Sequence, residues 1–173
     1  MTQGVAILGS TGSIGTTALR VLQRHRQRFH VAALTAHSNA ALLAEQVAEF
    51  APAYTGITGE AAEAQDRGWR SGSSTLVEAS TRDDVDIVLN AVVGAAGLDA
   101  TLAALGRGKR VALANKESLV VGGELVMALA EATGAQIIPV DSEHSALHQL
   151  IAGERAGAVE RLVVTASGGP FRG

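Results

Sequence analysis

Two carboxylates, Asp141 and Glu143, lie two residues apart where an apolar run ends, in Val140-Asp141-Ser142-Glu143-His144. If the backbone stays extended there, both carboxylates project from the same side. Two hard oxygen donors on one face suit Mg²⁺ or Mn²⁺, with the Ser142 hydroxyl between them. The same residues also read as a helix start, Asp141 or Ser142 capping and Glu143 favouring the helix dipole. His144 and His148, four apart with Asp141 close by, admit a zinc reading, although no H-E-x-x-H arrangement accompanies them.

The elements that must position such residues begin near the N-terminus. Residues 5–8 form a short apolar run closed by Gly9, expected as a buried parallel strand. Gly9-Ser10-Thr11-Gly12-Ser13-Ile14-Gly15 follows, then Ala18, Leu19, Val21 and Leu22 at helical spacing. Strand, glycine turn and helix place backbone N–H groups and a positive helix end where a pyrophosphate can dock. The spacing departs from G-x-G-x-x-G, because Thr11 stands where the second glycine would. A tight βα connection without a ligand competes with this reading, but the position at the first crossing favours a dinucleotide. A second strand over 29–35 leads into Ala36-His37-Ser38-Asn39, with no acidic residue for a ribose diol. Donors in place of a carboxylate leave room for a 2′-phosphate, so the sequence leans towards NADP(H).

Further along, a helix is expected over 40–50 and a short strand over 53–57. Residues 59–74 are polar and ambiguous, read as a short helix and loop around Trp69. The next strand, 85–93, ends in Gly94-Ala95-Ala96-Gly97, small residues that admit a close backbone, a flat ring or tight helix packing. Helix 98–105 and strand 109–114 lead to Asn115-Lys116-Glu117-Ser118, then helix 119–131. Asn115 there is either an N-cap beside two solvated charges or part of a site at the sheet's carboxyl rim. Strand 136–140, helix 145–151 and strand 161–165 complete the pattern, before the small-residue turn Ser167-Gly168-Gly169-Pro170. This alternation implies an α/β fold, a Rossmann-like doubly wound and mostly parallel sheet.

With 173 residues, one domain is the default, with room for a substantial core or a small appendage. No cysteine is present, which excludes disulfides, thiolate zinc sites and cysteine nucleophiles. A net charge of −3 gives no general attraction to nucleic acid. Arg20, Arg24, Arg26 and Arg28 precede the first acidic residue, Glu45, and suggest a solvated basic face or a nearby anionic ligand. No apolar run approaches the roughly 20 residues of a membrane span. The N-terminus enters a strand almost at once, so no signal or transit peptide is expected and the location reads as cytoplasmic.

Four stretches together carry a resemblance: Gly9-Ser-Thr-Gly-Ser-Ile-Gly15, Leu113-Ala-Asn-Lys-Glu-Ser-Leu119, Pro139-Val-Asp-Ser-Glu-His144 and Thr165-Ala-Ser-Gly-Gly-Pro-Phe-Arg172. In this order they resemble the 1-deoxy-D-xylulose 5-phosphate reductoisomerase family, NADPH-dependent enzymes of the non-mevalonate isoprenoid pathway. The resemblance implies that Thr11, Gly12, Ser13 and Ile14 hold the NADPH pyrophosphate. His37, Ser38 and Asn39 would lie near the 2′-phosphate, with Asn115 and Glu117 along the cofactor. Many members carry a basic residue where this chain has Ser38. Asp141 and Glu143 would ligate Mg²⁺ or Mn²⁺, Ser142 and Ser167 would contact the sugar-phosphate substrate together with Glu143, and Lys116 would be a catalytic cation between cofactor and substrate.

The same resemblance divides the chain into an NADPH-binding domain, 1–140, and the beginning of an α+β catalytic domain, 141–173. It implies a homodimer acting on a small molecule, with no nucleic acid or membrane partner. Family members continue for roughly as many residues again, including a third carboxylate ligand and a lid, so a fragment inactive alone is expected. The alternative is a stand-alone NADP(H)-binding module in which Asp141 and Glu143 serve only the helix.

Overall fold

Alternate residues of the first strand enter two different cores. In the computed structural model, which describes residues 2–59, 62–155 and 157–164, β1 (Gln3–Leu8) sends Ala6 and Leu8 to one side. Val5 and Ile7 go to the other. A strand buried on both faces needs apolar residues at every position rather than at alternate ones. Helices must then cover both faces, which is what doubly wound means.

The remaining strands are β2 (Phe29–Ala36), β3 (Tyr54–Ile57), β4 (Arg70–Ser71), β5 (Ile87–Asn90), β6 (Arg110–Leu113) and β7 (Ile137–Pro139). They form one parallel sheet in the order β4-β3-β2-β1-β5-β6-β7. The chain works outward from β1 to one edge, then returns beside β1 and works outward again. The loops after β1 and β5 therefore diverge at a switch point, where ligands of open α/β sheets collect.

The helices are α1 (Ser13–Arg24), α2 (Ala40–Phe50), α3 (Ala62–Asp66), α4 (Ser74–Thr81), α5 (Leu98–Gly106), α6 (Glu117–Thr133) and α7 (Ser142–Ile151). Leu19 and Leu43 from α1 and α2 pack with Ile7 and Leu34. Leu76, Ala104, Leu105 and Val126 from α4, α5 and α6 pack with Leu8, Val88 and Val111 on the opposite face. Helix α6 is kinked at Gly122 (φ −131°, ψ 23°), where an added Cβ would sit 3.0 Å from Leu98 Cδ1.

Several expectations need correction. The strand expected over 85–93 pairs only over Ile87–Asn90, because its parallel partners β1 and β6 end in step with it. Residues 161–164 adopt no strand, since none of the seven strands pairs with them and their side chains stay exposed; Thr165 lies outside the described residues. The stretch over 59–74 hides an edge strand, β4, and it is followed by a helix, α4, that no apolar period announces. Helix α7 begins at Ser142, three residues earlier than its apolar pattern suggests. The backbone therefore turns helical between Asp141 and Glu143, and the extended presentation of those two carboxylates does not occur. Arg20, Arg24, Arg26 and Arg28 are all exposed; Arg24 closes α1 at the end remote from the glycine turn, with Arg26 and Arg28 beyond it. Arg26 reaches Glu49 at 3.7 Å, so this group is a solvated surface rather than an anion site.

Candidate cofactor and metal site

The glycine turn is held from beneath by β2. The amides of Gly9 and Ser10 both donate to the Thr35 carbonyl, at 3.0 and 2.8 Å. Gly9 has φ +83°, a left-handed conformation that only glycine adopts at little cost. The Gly12 amide returns to the Gly9 carbonyl at 3.1 Å, and Gly12 is the N-cap of α1. A glycine cap brings no side-chain acceptor, so the first-turn amides of α1 remain available to a ligand. Helix and turn touch at Gly15, whose added Cβ would lie 2.4 Å from the Gly9 carbonyl oxygen. Thr11 is half-buried, while Gly12, Ser13 and Ile14 are exposed at the rim. Free amides, a positive helix end and no carboxylate in this turn fit a dinucleotide pyrophosphate.

Next to it, Leu8 of β1 stands opposite Thr35 of β2, which brings the following loop alongside. His37, Ser38 and Asn39 are exposed there. The His37 Nδ1 atom lies 2.9 Å from Thr58 Oγ1, and the His37 carbonyl accepts from the Gly59 amide at 2.8 Å. Asn39 caps α2, its Oδ1 accepting from the Leu42 amide at 3.1 Å. The loop thus presents polar groups and no carboxylate beside the glycine turn.

On the other side of the switch point, two buried asparagines shape the loop after β5. Asn90 donates through Nδ2 to the Gly97 carbonyl and to Thr101 Oγ1, both at 2.8 Å, and accepts from the Val92 amide at 3.2 Å. Asn115, 1% exposed, donates through Nδ2 to the carbonyls of Val92 and Gly94 and accepts from Ser118 through both its amide and its hydroxyl. Every hydrogen-bonding atom of its side chain is engaged, so Asn115 acts on the rim by holding the loop and starting α6. Glu117 is half-buried in the first turn of α6, and Lys116 is exposed.

Strands β6 and β7 are adjacent, and the Val140 amide donates to the Leu113 carbonyl at 3.0 Å. Their following loops therefore bring Lys116 towards Asp141 and Glu143. Asp141 is the N-cap of α7: Oδ1 accepts from the His144 amide at 2.9 Å, and the carboxylate meets the His144 ring Nδ1 at 2.7 Å. Burial pushes the Asp141 carboxyl up, but the His144 amide and ring, with the Lys116 charge, outweigh it and hold it below its ordinary value. The Ser142 hydroxyl donates to Glu143 Oε2 at 2.7 Å, and this bond foremost holds Glu143 down as well. Both carboxylates thus stay ionised at neutral pH. A shallow groove of about 370 Å³ runs beside them, lined by Ser142, Glu143, Leu147, Leu150, Val163 and Val164.

The donors suit a hard divalent cation in type, but a cation must compete with His144 for Asp141. No group of three His, Cys, Asp or Glu ligands forms among the described residues, so neither a complete metal site nor the zinc reading of His144 and His148 is assembled by them. Ser167 and the Ser-Gly-Gly-Pro turn lie outside the described residues.

The 1-deoxy-D-xylulose 5-phosphate reductoisomerase family model matches residues 5–123, and that of the same enzyme's C-terminal domain matches 137–173. The chain belongs to this family. The reductoisomerase of Symbiobacterium thermophilum is 48% identical over 187 residues, spanning 100% of this chain and 48% of that protein. The chain thus spans about half the length of the curated reductoisomerases it matches. A solved reductoisomerase from Zymomonas mobilis in complex with NADPH superposes with a TM-score of 0.80 at 38% identity, over 86% of this chain and 41% of that one. Another, in complex with NADPH, fosmidomycin and magnesium, gives 0.78 at 42% identity over 85% and 38%.

Within this reductoisomerase frame, the supports of the rim are residues whose types announce no role. Gln46, Thr35, Thr58 and Asn90 carry no charge and match no motif, and Ser10 is an uncharged member of the glycine turn. For Gln46, Thr35 and Asn90 the one sequence signal is a polar residue inside an otherwise apolar strand or helix face, while Thr58 follows the end of β3.

Proposed function

We propose that this chain carries the NADPH-binding part of a 1-deoxy-D-xylulose 5-phosphate reductoisomerase, which rearranges and reduces that sugar phosphate to 2-C-methyl-D-erythritol 4-phosphate. One observation carries the reading: in a chain of this family, an uncapped glycine turn and the Lys116, Asp141 and Glu143 group both stand at the sheet's carboxyl rim. Thr11, Ser13 and Ile14 would hold the NADPH pyrophosphate through their backbone amides, and Gly12, whose own amide is bound to the Gly9 carbonyl, by leaving the approach free of a side chain. His37, Ser38 and Asn39 would meet the 2′-phosphate, and Asn115 and Glu117 would line the cofactor's path, Asn115 by shaping the loop over 92–94.

Asp141 and Glu143 would hold Mg²⁺ or Mn²⁺. Bound together, the two groups would supply a hydride and a Lewis acid for the substrate's oxygens. The chain's own work is orientation. Lys116 presents three donors and a positive charge where negative charge develops on the substrate. Ser142, Glu143 and Ser167 would position the substrate. The boundary near residue 140, a homodimeric assembly and a cytoplasmic location belong to the same reading and are supported by the family resemblance. No described helix is long and apolar enough to cross a membrane.

A second reading, a stand-alone NADP(H)-binding module, draws on the capping role of Asp141 and on the incomplete ligand set among the described residues. The test follows NADPH absorbance with 1-deoxy-D-xylulose 5-phosphate and Mn²⁺, on protein of verified intact mass. Turnover abolished by Glu143→Gln supports the enzyme; NADPH binding without turnover fits both the module and a fragment inactive alone, and the same assay on the full-length gene product separates those two.

A further inference from the structure

The underside of the glycine turn is polar where the core around it is apolar. Ser10 is 0% exposed and Gln46, in the second turn of α2, is 6% exposed. They bind each other twice: Ser10 Oγ donates to Gln46 Oε1 at 2.7 Å, and Gln46 Nε2 donates to the Ser10 carbonyl at 3.0 Å. A carbonyl can only accept, so the amide nitrogen must face it and the amide oxygen is left for the hydroxyl. Burying such a pair costs more than an apolar contact of equal size unless both bonds are kept. Its position beneath the turn gives it a use.

A trans peptide unit points its C=O and its N–H in opposite directions. Gln46 holds the Ser10 carbonyl towards the core, so the next amide, that of Thr11, is aimed outward. The other amides of the turn are tied down: Gly9 and Ser10 to Thr35, and Gly12 to Gly9. The Thr11 amide has no acceptor among the described residues and stands beside the open first turn of α1.

We propose that Gln46 is a positioning residue for the dinucleotide: by fixing the Ser10–Thr11 peptide plane it presents the Thr11 amide to the pyrophosphate. The inference rests on the cofactor reading above. Glutamine is the side chain that meets both needs. Glutamate has no donor for the Ser10 carbonyl, and an aliphatic residue leaves both Ser10 groups without partners.

The test measures binding of NADPH and of adenosine 2′-monophosphate, which lacks a pyrophosphate, by NMR titration of the whole chain and of Gln46→Met. Gln46→Met is expected to weaken NADPH about tenfold, one lost well-aimed bond, while adenosine 2′-monophosphate stays within about twofold. Ser10→Ala keeps the carbonyl contact and is expected to cost NADPH no more than about twofold. Should Gln46→Met not fold, Gln46→Glu, which still accepts from Ser10 Oγ, takes its place with the same expectation. Unchanged NADPH affinity, or equal losses for both ligands, overturns the role of Gln46. Failure of the unsubstituted chain to bind NADPH overturns the cofactor reading itself, and this inference with it.

Discussion

The Asn115 side-chain amide donates to the Gly94 carbonyl at 2.7 Å, joining the loops that follow β6 and β5 across the rim. The same side chain starts α6 through Ser118. Asn115→Asp would set a carboxylate oxygen against the Val92 and Gly94 carbonyls in place of a donor. We expect a loss of about 2–3 kcal/mol in urea denaturation, with Asn115→Ala costing less because it leaves no repelling oxygen. Equal stability of Asn115→Asp and the parent would show that the loops are not held this way.

Gly15 is where α1 meets the turn, and the atoms in the way are backbone. An added Cβ would lie 2.4 Å from the Gly9 oxygen and 2.6 Å from Ser10 Cα. Gly15→Ala is therefore expected to destabilise by about 3 kcal/mol, despite alanine's better helix propensity. A thermal melt within a degree or two of the parent would contradict this.

At α7, pH should act locally. Asp141 and Glu143 are held below their ordinary values, so their contribution is present above the usual carboxylate range and is lost as pH falls through the depressed values. No residue of α7 is buried, so the helix should fray without global unfolding. Protection of the His144 amide, its observed exchange compared with the intrinsic rate at each pH, is expected to fall as pH drops below the ordinary carboxylate range. Asp141→Ala should remove that step and cost α7 about 1 kcal/mol of capping at neutral pH. An unchanged exchange profile in the variant would rule out the cap.

Ser38 offers a hydroxyl and no cation, in an exposed loop with no acidic neighbour at 36–39. Ser38→Arg is expected to tighten NADPH about tenfold relative to NADH, an advantage that shrinks at high salt. If both cofactors tighten equally, the loop does not meet the 2′-phosphate.

The parts of this fold that are legible in the sequence are those where one force dominates. β1 is apolar from Val5 to Leu8 because it is buried there on both faces, and α2 runs from Ala40 to Phe50 as its pattern suggests, with Asn39 capping it. Helix α4 is obscured because two of its core positions are Thr75 and Ser80, whose hydroxyls are satisfied by the carbonyls of Gly72 and Val77. Polar residues at buried positions erase the apolar period. Strand β4 has two exposed residues and exists only through pairing with β3, which no local pattern announces. At the site, charged and glycine residues stand out in sequence. Gln46 acts from 36 residues beyond Ser10 and becomes visible only once α2 is seated beside the turn.

Calorimetric titration of NADPH into the chain and into Gly12→Asp tests whether the glycine turn holds the cofactor. A Cβ at Gly12 meets nothing closer than 3.4 Å, and aspartate is a favoured N-cap, so the variant should fold at least as well as the parent. It would nonetheless set a carboxylate where the pyrophosphate is to sit. Saturable one-site NADPH binding by the parent is expected, weakened at least about a hundredfold in the variant by two like charges in contact. A parent that does not bind NADPH, or a folded Gly12→Asp that binds it equally well, would contradict the central claim.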